Sequence, residues 1–573
     1  MTLSNNNYSS MNITLKKRGF YDIIYKYMEG KMFKKLLKKI KNLVTKKEID
    51  KINYKNQYKK ENNKSKKQII KSKIISNPKS YSQIMEEISK DELYERLLRY
   101  GLFSNKLPNC FTVDSFWEFC KNSKYNFENK AYDYIKFESI RNNFIPRVLG
   151  IPVPMAHEKL CRCISNNWEK IKEILKENTK EEKFKVSRIH IRKMRGKKEI
   201  FEMNYDNYKV DGTPEIEAII GKKILVKTDI STCFPSMYTH AISWALIGKE
   251  KAKLLKKDKK QWFNLLDNCT SNETYGETHG FIIGPHTSNI LSEIILTRVD
   301  KELTQKGYIY TRYIDDYSCY VENEAEANKF LSDLGDCLRK YDLLLNQKKT
   351  KIIKLPISLE KEWIRKLNLF QNINKRWDFN NVRSYLDLAV DLTEKYKDVA
   401  ILKYSIKVIN SKKLSISARN YFVKTIFHYS LIYQYLIPCL DNEIFEKYDI
   451  SKDEIDNIIN KIYSCGIESN NYEAVMYALY YSLKNNSIIN GIEIDKLLTD
   501  KNCIVPLLGY FYYKKDKAKR KKIKNYAMKL YKSDYMDRNW IFIYEVLSIS
   551  ELKGEWKELK KKKISFIKAD FTK

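Results

Sequence analysis

The chain has 573 residues, beyond the length at which a single hydrophobic core keeps growing, so two or three domains are expected. Hydrophobic residues make up 43% and charged residues 31%, a balance that excludes a disordered chain and a membrane-embedded one. Lysine and arginine (107) exceed the acids (71) by 36 charges, a surplus that draws polyanions and points to nucleic acid, although a usage rich in Lys, Asn, Ile and Tyr also follows from an AT-biased coding sequence.

Lysine and asparagine crowd the first 80 residues, as in KKLLKKIKNLVTKKEIDKI, and residues 1–90 read as a basic extension. A nucleic-acid arm and a solvated amphipathic helix are equally open there. The opening MTLSNNNYSS has no apolar stretch after a basic start, so no secretory leader is expected. From Asp91 the pattern turns mixed, beginning with the helical stretch DELYERLLRYGLF, and strand and helix patterns alternate from Pro214 to Pro356. Residues 91–356 are therefore expected to form an α+β domain. Within it, Gly221 precedes the apolar run Ile224-Leu225-Val226, a short buried strand that delivers Asp229 at its end. Pro285 opens a helix in which Ile290/Ile294 and Leu291/Ile295 recur four apart, and Gly307 closes it. YIYTRYIDDYSCYVE alternates aromatic and β-branched residues on both sides of Asp315-Asp316, which predicts a hairpin with the two acids at its tip.

After about Trp363 the β pattern fades, and residues 357–573 are expected to be an all-helical array. Ser451-x-x-Glu454 is a capping box, Ile455, Ile458, Ile459 and Ile462 share a helical face, and Gly466 reads as the stop. YEAVMYALYYSLKN makes the next helix. The most apolar long window, Tyr421–Leu440, is broken by Lys424, His428 and Gln434, which favours a buried helix over a bilayer span, so no membrane partner is expected. Eleven scattered cysteines include no C-x-x-C pair, Cys161-Arg-Cys163 being the tightest spacing, and only six histidines could complete a zinc site. Reduced thiols in a cytosolic protein fit that usage better than zinc or disulfides.

Chemistry enters through the acids. Nucleotidyl transfer needs a 3′-hydroxyl to attack an α-phosphate in line, and two divalent ions about 3.5–4 Å apart can stabilise both the attacking and the leaving oxygen. Hard cations such as magnesium take carboxylate oxygens, delivered from separate elements. Asp229 at a strand end and Asp315-Asp316 at a hairpin tip supply that set if the two strands lie side by side.

Tyr313-Ile-Asp-Asp316 resembles the catalytic hairpin of reverse transcriptases, and Asp229-Ile-Ser-Thr-Cys-Phe234 resembles the first catalytic motif of the same family. Gly280-Phe-Ile-Ile-Gly284 is similar to the family's Gly-x-Pro-x-Gly loop, departing at Ile282, where the family usually carries Pro. Leu344-Leu345-Asn346-Gln-Lys-Lys349-Thr350 resembles the next motif, whose lysine lies near the leaving pyrophosphate. The flanks Phe234–Ala245 and Gly284–Ile294 are similar to the prokaryotic abortive-infection and defence-associated (AbiK-like) reverse transcriptases, across roughly Asn142 to Pro356. That resemblance implies fingers and a palm over residues 91–356, a helical domain in place of a thumb, and a cytoplasmic role in antiphage defence. It implies DNA synthesis from deoxynucleotides with two Mg²⁺ (or Mn²⁺) ions, copied from a noncoding RNA or made without a template, with a Tyr hydroxyl as one candidate primer and homo-oligomers as the assembly. RNA, DNA and dNTPs are the partners it implies.

On this reading Asp229 and Asp315 are the principal metal ligands, with the main-chain carbonyl of Ile230 an extra oxygen and Asp316 supplying charge and geometry. Phe234, five residues after Asp229, stands where the family carries an aromatic that collides with a ribose 2′-hydroxyl. Arg188, Arg192 and Lys193 in SRIHIRKMR sit where a fingers hairpin grips the triphosphate, an exposed basic strand being the plain alternative. Tyr313, Gly280, Gly284 and Lys349 complete the substrate-binding set. His240 and Trp244 read as packing and hydrogen bonding. An RNA-directed RNA polymerase shares the palm, but Phe234 argues against it. A nucleic-acid scaffold without turnover has no use for crowded, mutually repelling carboxylates. A maturase would be expected to show a Cys/His nuclease motif after residue 360, and none is present; a retron enzyme stays open on the palm alone.

Overall fold

The computed structural model describes residues 85–573 apart from 124, 141–145, 178–189, 192–200, 203–215, 217–218, 359, 372–374, 534 and 573. The basic extension as far as residue 84, Arg188, Arg192 and Lys193 thus lie outside the described residues. The chain divides after Lys79, and residues 80–573 form one compact unit.

Helices α1 (Lys90–Leu98) and α2 (Asp114–Asn122) lead into an antiparallel pair of strands, β1 (Ile135–Ile140) and β2 (Pro146–Ile151). Helices α3 (Pro154–Asn166) and α4 (Trp168–Lys176) follow, and α1 packs on α3. The backbone at His190–Ile191 pairs antiparallel with Phe201–Glu202.

A four-stranded antiparallel sheet forms the centre: β3 (Ile224–Asp229), β4 (Tyr310–Tyr313), β5 (Asp316–Val321) and β6 (Lys351–Lys354), in the order β4-β5-β3-β6. Strand β3 is interior to the sheet and carries apolar residues on both faces, as its unbroken Ile-Leu-Val run requires. Val226 faces the main core, whereas Leu225 joins Tyr320 in a small cluster covered by Ile353, Leu355 and Ile357. Between β3 and β4 the chain forms α5 (His240–Ile247), α6 (Lys249–Leu255), α7 (Trp262–Ser271) and the long α8 (His286–Gln305). Pro285 sits at the N-cap of α8 and Gly307 takes φ +84° just beyond its end, matching the expected start and stop. Helix α9 (Glu324–Arg339) follows β5 and packs against the sheet.

The C-terminal part is helical: α10 (Glu362–Gln371), α11 (Phe379–Tyr396), α12 (Ala400–Asn410), α13 (Ile416–Ile432), α14 (Lys452–Glu468), α15 (Tyr472–Asn485), α16 (Ile504–Tyr512), α17 (Lys517–Lys532), α18 (Trp540–Val546) and α19 (Gly554–Lys561). One short parallel pairing, Arg376–Trp377 with Lys413–Leu414, interrupts it. The expected helix over Tyr421–Leu440 is split: α13 ends at Ile432 and a 3₁₀ segment, Gln434–Cys439, holds Pro438, which cannot donate to a helical ladder. No described helix is long and apolar enough to cross a membrane. All eleven cysteines are free, nine of them buried.

Ser451 caps α14 by accepting from the Glu454 N–H, as the sequence predicts. Gly466, however, is not the stop. It lies inside α14, which runs on to Glu468, and an added Cβ there would meet Val475 Cγ2 at 3.0 Å and Val475 N at 3.1 Å. Its lack of a side chain lets α15 lie close against α14.

The helical array closes back on the first described residues. Phe111 bridges to Ile567, Thr112 N–H donates to Phe566 O (2.9 Å), and Ser115 Oγ donates to Ser565 O (2.9 Å). Glu473 of α15 accepts from Ser139 Oγ (2.8 Å) and Ile140 N–H (2.7 Å) on β1, and Trp540 Nε1 donates to Ile151 O (3.4 Å) on β2.

Replacing Gly466 with Val should push α14 and α15 apart at a cost of about 1–3 kcal/mol. A lowered urea midpoint, followed by far-UV circular dichroism, is the expected outcome; an unchanged midpoint would show that the crossing has room to spare.

Candidate active site

Antiparallel register places Asp229, the last residue of β3, directly opposite Asp316, the first residue of β5. Asp316 also pairs with Tyr313 at the end of β4, so Ile314 and Asp315 form the tight turn. Ile314 takes φ +59°, a left-handed conformation rare for a β-branched residue and maintained only where surrounding contacts enforce it. Two contacts do so: Asp315 O accepts from the Ile230 N–H (3.1 Å), and Ile314 O accepts from Arg312 Nη1 (2.9 Å). Asp229, Ile230, Asp315 and Asp316 therefore meet at one corner of the sheet.

The carboxylates feel one another. Burial, then the charges of Asp229 and Asp316, push the Asp315 carboxyl up to about 6. Burial and Asp229 likewise raise Asp316. The counter-charge comes from the segment after α9. Ser231 N–H donates to Leu344 O (2.8 Å), Asn346 N–H to Asp229 O (2.7 Å), and the hydroxyls of Thr228 and Thr350 hydrogen bond at 2.7 Å. This seats Lys349, whose Nζ forms an ion pair with Asp229 Oδ2. The hydrogen bond to Asp229 holds the Lys349 ammonium above its ordinary range.

Among the described residues Asp229 Oδ1, which is buried, has no hydrogen-bond partner. Such an orphan costs about 1–3 kcal/mol, which a cation would relieve. An all-oxygen set with surplus negative charge fits a hard divalent ion. Among the described residues no three His, Cys, Asp or Glu side chains already stand as a finished metal cage. Asp229 and Lys349 are paired instead, so a cation arriving at Asp229 would displace that ammonium.

Beneath the turn lies a network that sequence reasoning missed. Arg312 is 0% exposed. Its guanidinium donates to Asp300 (Nε at 3.0 Å, Nη2 at 2.5 Å) and to Glu293 (Nη1 and Nη2, both 3.1 Å), besides the turn carbonyl. Tyr310 Oη adds a 2.9 Å bond to Asp300. Burial alone would lower the Arg312 pKa, but Asp300 and Glu293 outweigh it and hold the group charged. The signal was available: Tyr310 and Arg312 share the inward face of β4 at period two, and Glu293 and Asp300, seven apart, share one face of α8.

Phe234 lies in a helical turn, Cys233–Ser236, half-buried, and its carbonyl accepts from the Phe281 N–H (2.8 Å), which seats it beside the glycine loop. Gly280 (φ +94°) and Gly284 (φ +141°) both need conformations that side chains disfavour, and a Cβ on Gly284 would come within 2.9 Å of Gly150 O. Stiffness that a Pro would lend at position 282 comes here from contacts: Gly150 N–H donates to Ile283 O (2.9 Å) and Ser288 Oγ to Ile282 O (2.6 Å). Arg188 and Arg192 fall outside the described residues, so the structure brings together Asp229, Ile230, Asp315, Asp316, Tyr313 and Lys349, with Phe234, Gly280 and Gly284 on the adjoining wall.

Replacing Arg312 with Met should leave Asp300 and Glu293 buried without a counter-charge and cost about 3–5 kcal/mol. Chemical denaturation is expected to show that loss, and adding Glu293→Gln and Asp300→Asn to the same chain should restore much of it.

Residues 157–379 match the family model described as reverse transcriptase (RNA-dependent DNA polymerase). No curated protein matches the chain in sequence. Among solved structures, it is similar to an apo telomerase from Candida tropicalis truncated of its C-terminal domain, at 13% identity over 43% of this chain and 55% of that one, with a TM-score of 0.25. The apo telomerase from the same organism gives 12% identity over 64% and 72%, with a TM-score of 0.30. A telomerase from Candida albicans in complex with a fragment of telomeric RNA gives 10% over 72% and 69%, with a TM-score of 0.26. The chain, an α+β protein in its central part, carries a reverse transcriptase domain across residues 157–379.

Proposed function

We propose that the chain is a DNA polymerase of a prokaryotic antiphage defence system, adding deoxynucleotides by nucleotidyl transfer at the corner formed by Asp229, Asp315 and Asp316. The observation that carries this reading is the register that sets Asp229 opposite Asp316 with Asp315 in the adjoining turn. Attack by a 3′-oxygen on the α-phosphorus forms one P–O bond, breaks the bond to pyrophosphate and releases the 3′ proton. Asp229 and Asp315 would hold two Mg²⁺ ions, or Mn²⁺, with the Ile230 carbonyl and Asp316 assisting. When bound, such ions supply Lewis-acid stabilisation to the entering and leaving oxygens.

The chain's own groups do the rest. Lys349, anchored through Asn346 and Thr350 beside Asp229, presents an ammonium where the leaving phosphates would lie. Phe234 walls the sugar side and excludes a 2′-hydroxyl by bulk. Gly280 and Gly284 let the loop beside Phe234 take conformations that side chains disfavour and pack against Pro235 and Gly150, which shapes the backbone a base pair would approach. Tyr313, at the last rung of the hairpin, borders the primer end, and Arg188 and Arg192 grip the triphosphate.

The defence role rests on the likeness of Phe234–Ala245 and Gly284–Ile294 to abortive-infection reverse transcriptases. So do a noncoding RNA template or none at all, a tyrosine primer, homo-oligomeric assembly and a cytoplasmic location. The surplus of 36 positive charges supports a nucleic-acid partner.

Incorporation of labelled dNTPs by the full chain with Mg²⁺ should fall by about a hundredfold or more in Asp315→Asn and on chelation by EDTA. Equal incorporation by Asp315→Asn and wild type would falsify the assignment. Replacing Phe234 with Ala should cut the preference for dNTPs over rNTPs by about ten- to a hundredfold, measured as the ratio of kcat/KM values.

A further inference from the structure

The chain after Phe234 carries chemistry for which the polymerase corner has no use. Helices α5, α6 and α7 surround a cleft of about 650 Å³ that none of the three acids lines. Tyr238, His240 and Trp244 form one wall, and Lys253, Lys256 and Lys259 another. These three lysines are exposed and make no ion pair among the described residues. A further cation, Lys249 Nζ, sits 3.9 Å over the Trp244 ring. A solvated run of lysine, such as the stretch 249–260 suggests on its own, would not need a concave polar space at its centre.

Polar groups in the cleft are only half committed. His240 Nδ1 hydrogen bonds Asp267 Oδ2 (2.5 Å), which orients the ring, and among the described residues Nε2 has no hydrogen-bond partner. That bond raises the His240 pKa against the opposing effects of burial and Lys256. Asn264 donates its amide hydrogens to Leu255 O (2.8 Å) and Asp258 O (2.9 Å), and among the described residues its Oδ1 has no donor. Asn268 accepts at Oδ1 from Asn129 Nδ2 (3.2 Å) and Asn272 Nδ2 (3.4 Å), and among the described residues its own Nδ2 has no acceptor. A donor and an acceptor on adjoining turns of α7, beside cations and aromatic edges, match an unpaired base with its phosphate.

We propose that this cleft is a second nucleic-acid site that takes an unpaired nucleotide, its phosphate on Lys253, Lys256 and Lys259 and its base edge on His240, Asn264 and Asn268. The site stands apart from the carboxylate corner and does not depend on turnover there. A nucleotide within a strand and a free nucleoside triphosphate share this chemistry, and competition separates them.

The test is photocrosslinking of the full chain to an unstructured oligoribonucleotide of about twelve residues carrying 4-thiouridine, with adducts mapped by mass spectrometry. Adducts are expected within Tyr238–Trp244 or Asn264–Asn272, falling about tenfold in Lys253→Ser/Lys256→Ser/Lys259→Ser and unchanged in Asp315→Asn. Should the triple substitution alter the thermal melt, Lys256→Glu alone is read in its place. Displacement by unlabelled oligonucleotide but not by ATP assigns a strand, and displacement by ATP assigns a free nucleotide; both uphold the site. Absence of adducts from those two segments, or adducts indifferent to the lysine substitutions, would overturn it.

Discussion

Crowded negative charge is the constraint on which the molecule's central region depends. Three carboxylates that repel one another are held at a single corner of the sheet, and the force that holds them is not their own. Strand register fixes two of the three: once Ile224 to Asp229 pair with Val321 to Asp316, Asp229 and Asp316 must face each other. The third depends on a turn that isoleucine would not choose, secured from below by Arg312 and from the side by the Ile230 N–H. Arg312 itself is affordable in the core because Glu293 and Asp300 surround it with charge-assisted bonds.

Charge balance is therefore layered. A buried cation with two buried anions lies beneath the turn, three anions form the corner, and Lys349 covers them from the solvent side. Lys349 is held by an ion pair on an exposed arm, so it can be exchanged, while Arg312 cannot leave without stranding its partners. The same division separates the parts that must stay rigid from those that must yield when ligands arrive.

Much of this was legible in the sequence, for reasons that differ by element. Strand β3 announced itself by an apolar run bounded by Gly221 and Asp229, the hairpin by strict alternation around Asp315-Asp316, and α8 by Pro285 and its four-residue spacing. Their signals are local, and local geometry decided them. Gly466 misled because a glycine near the end of a periodic helix has two uses, as a stop and as a place for close approach, and only the position of α15 decides between them. Arg312 was overlooked since its meaning lies in two acids on another element. Lys349 was expected near pyrophosphate, but its pairing with Asp229 follows from how Asn346 and Thr350 dock on β3, a tertiary contact with no sequence pattern. The open amide groups of Asn264 and Asn268 were likewise invisible, being defined by what their neighbours have already claimed.

The bridge between Phe111 and Ile567 carries a consequence for biosynthesis. The two residues lie 456 positions apart (567 minus 111), and Ser115 and Ser565 bond each other across 450. At roughly 5–20 residues per second, a ribosome needs about 20–90 s to travel that distance. Throughout that interval Phe116, which ends up against Phe566, waits without its partner ring. The nascent chain thus emerges with an apolar seam that cannot be sealed until late in translation, the kind of surface on which holding chaperones act.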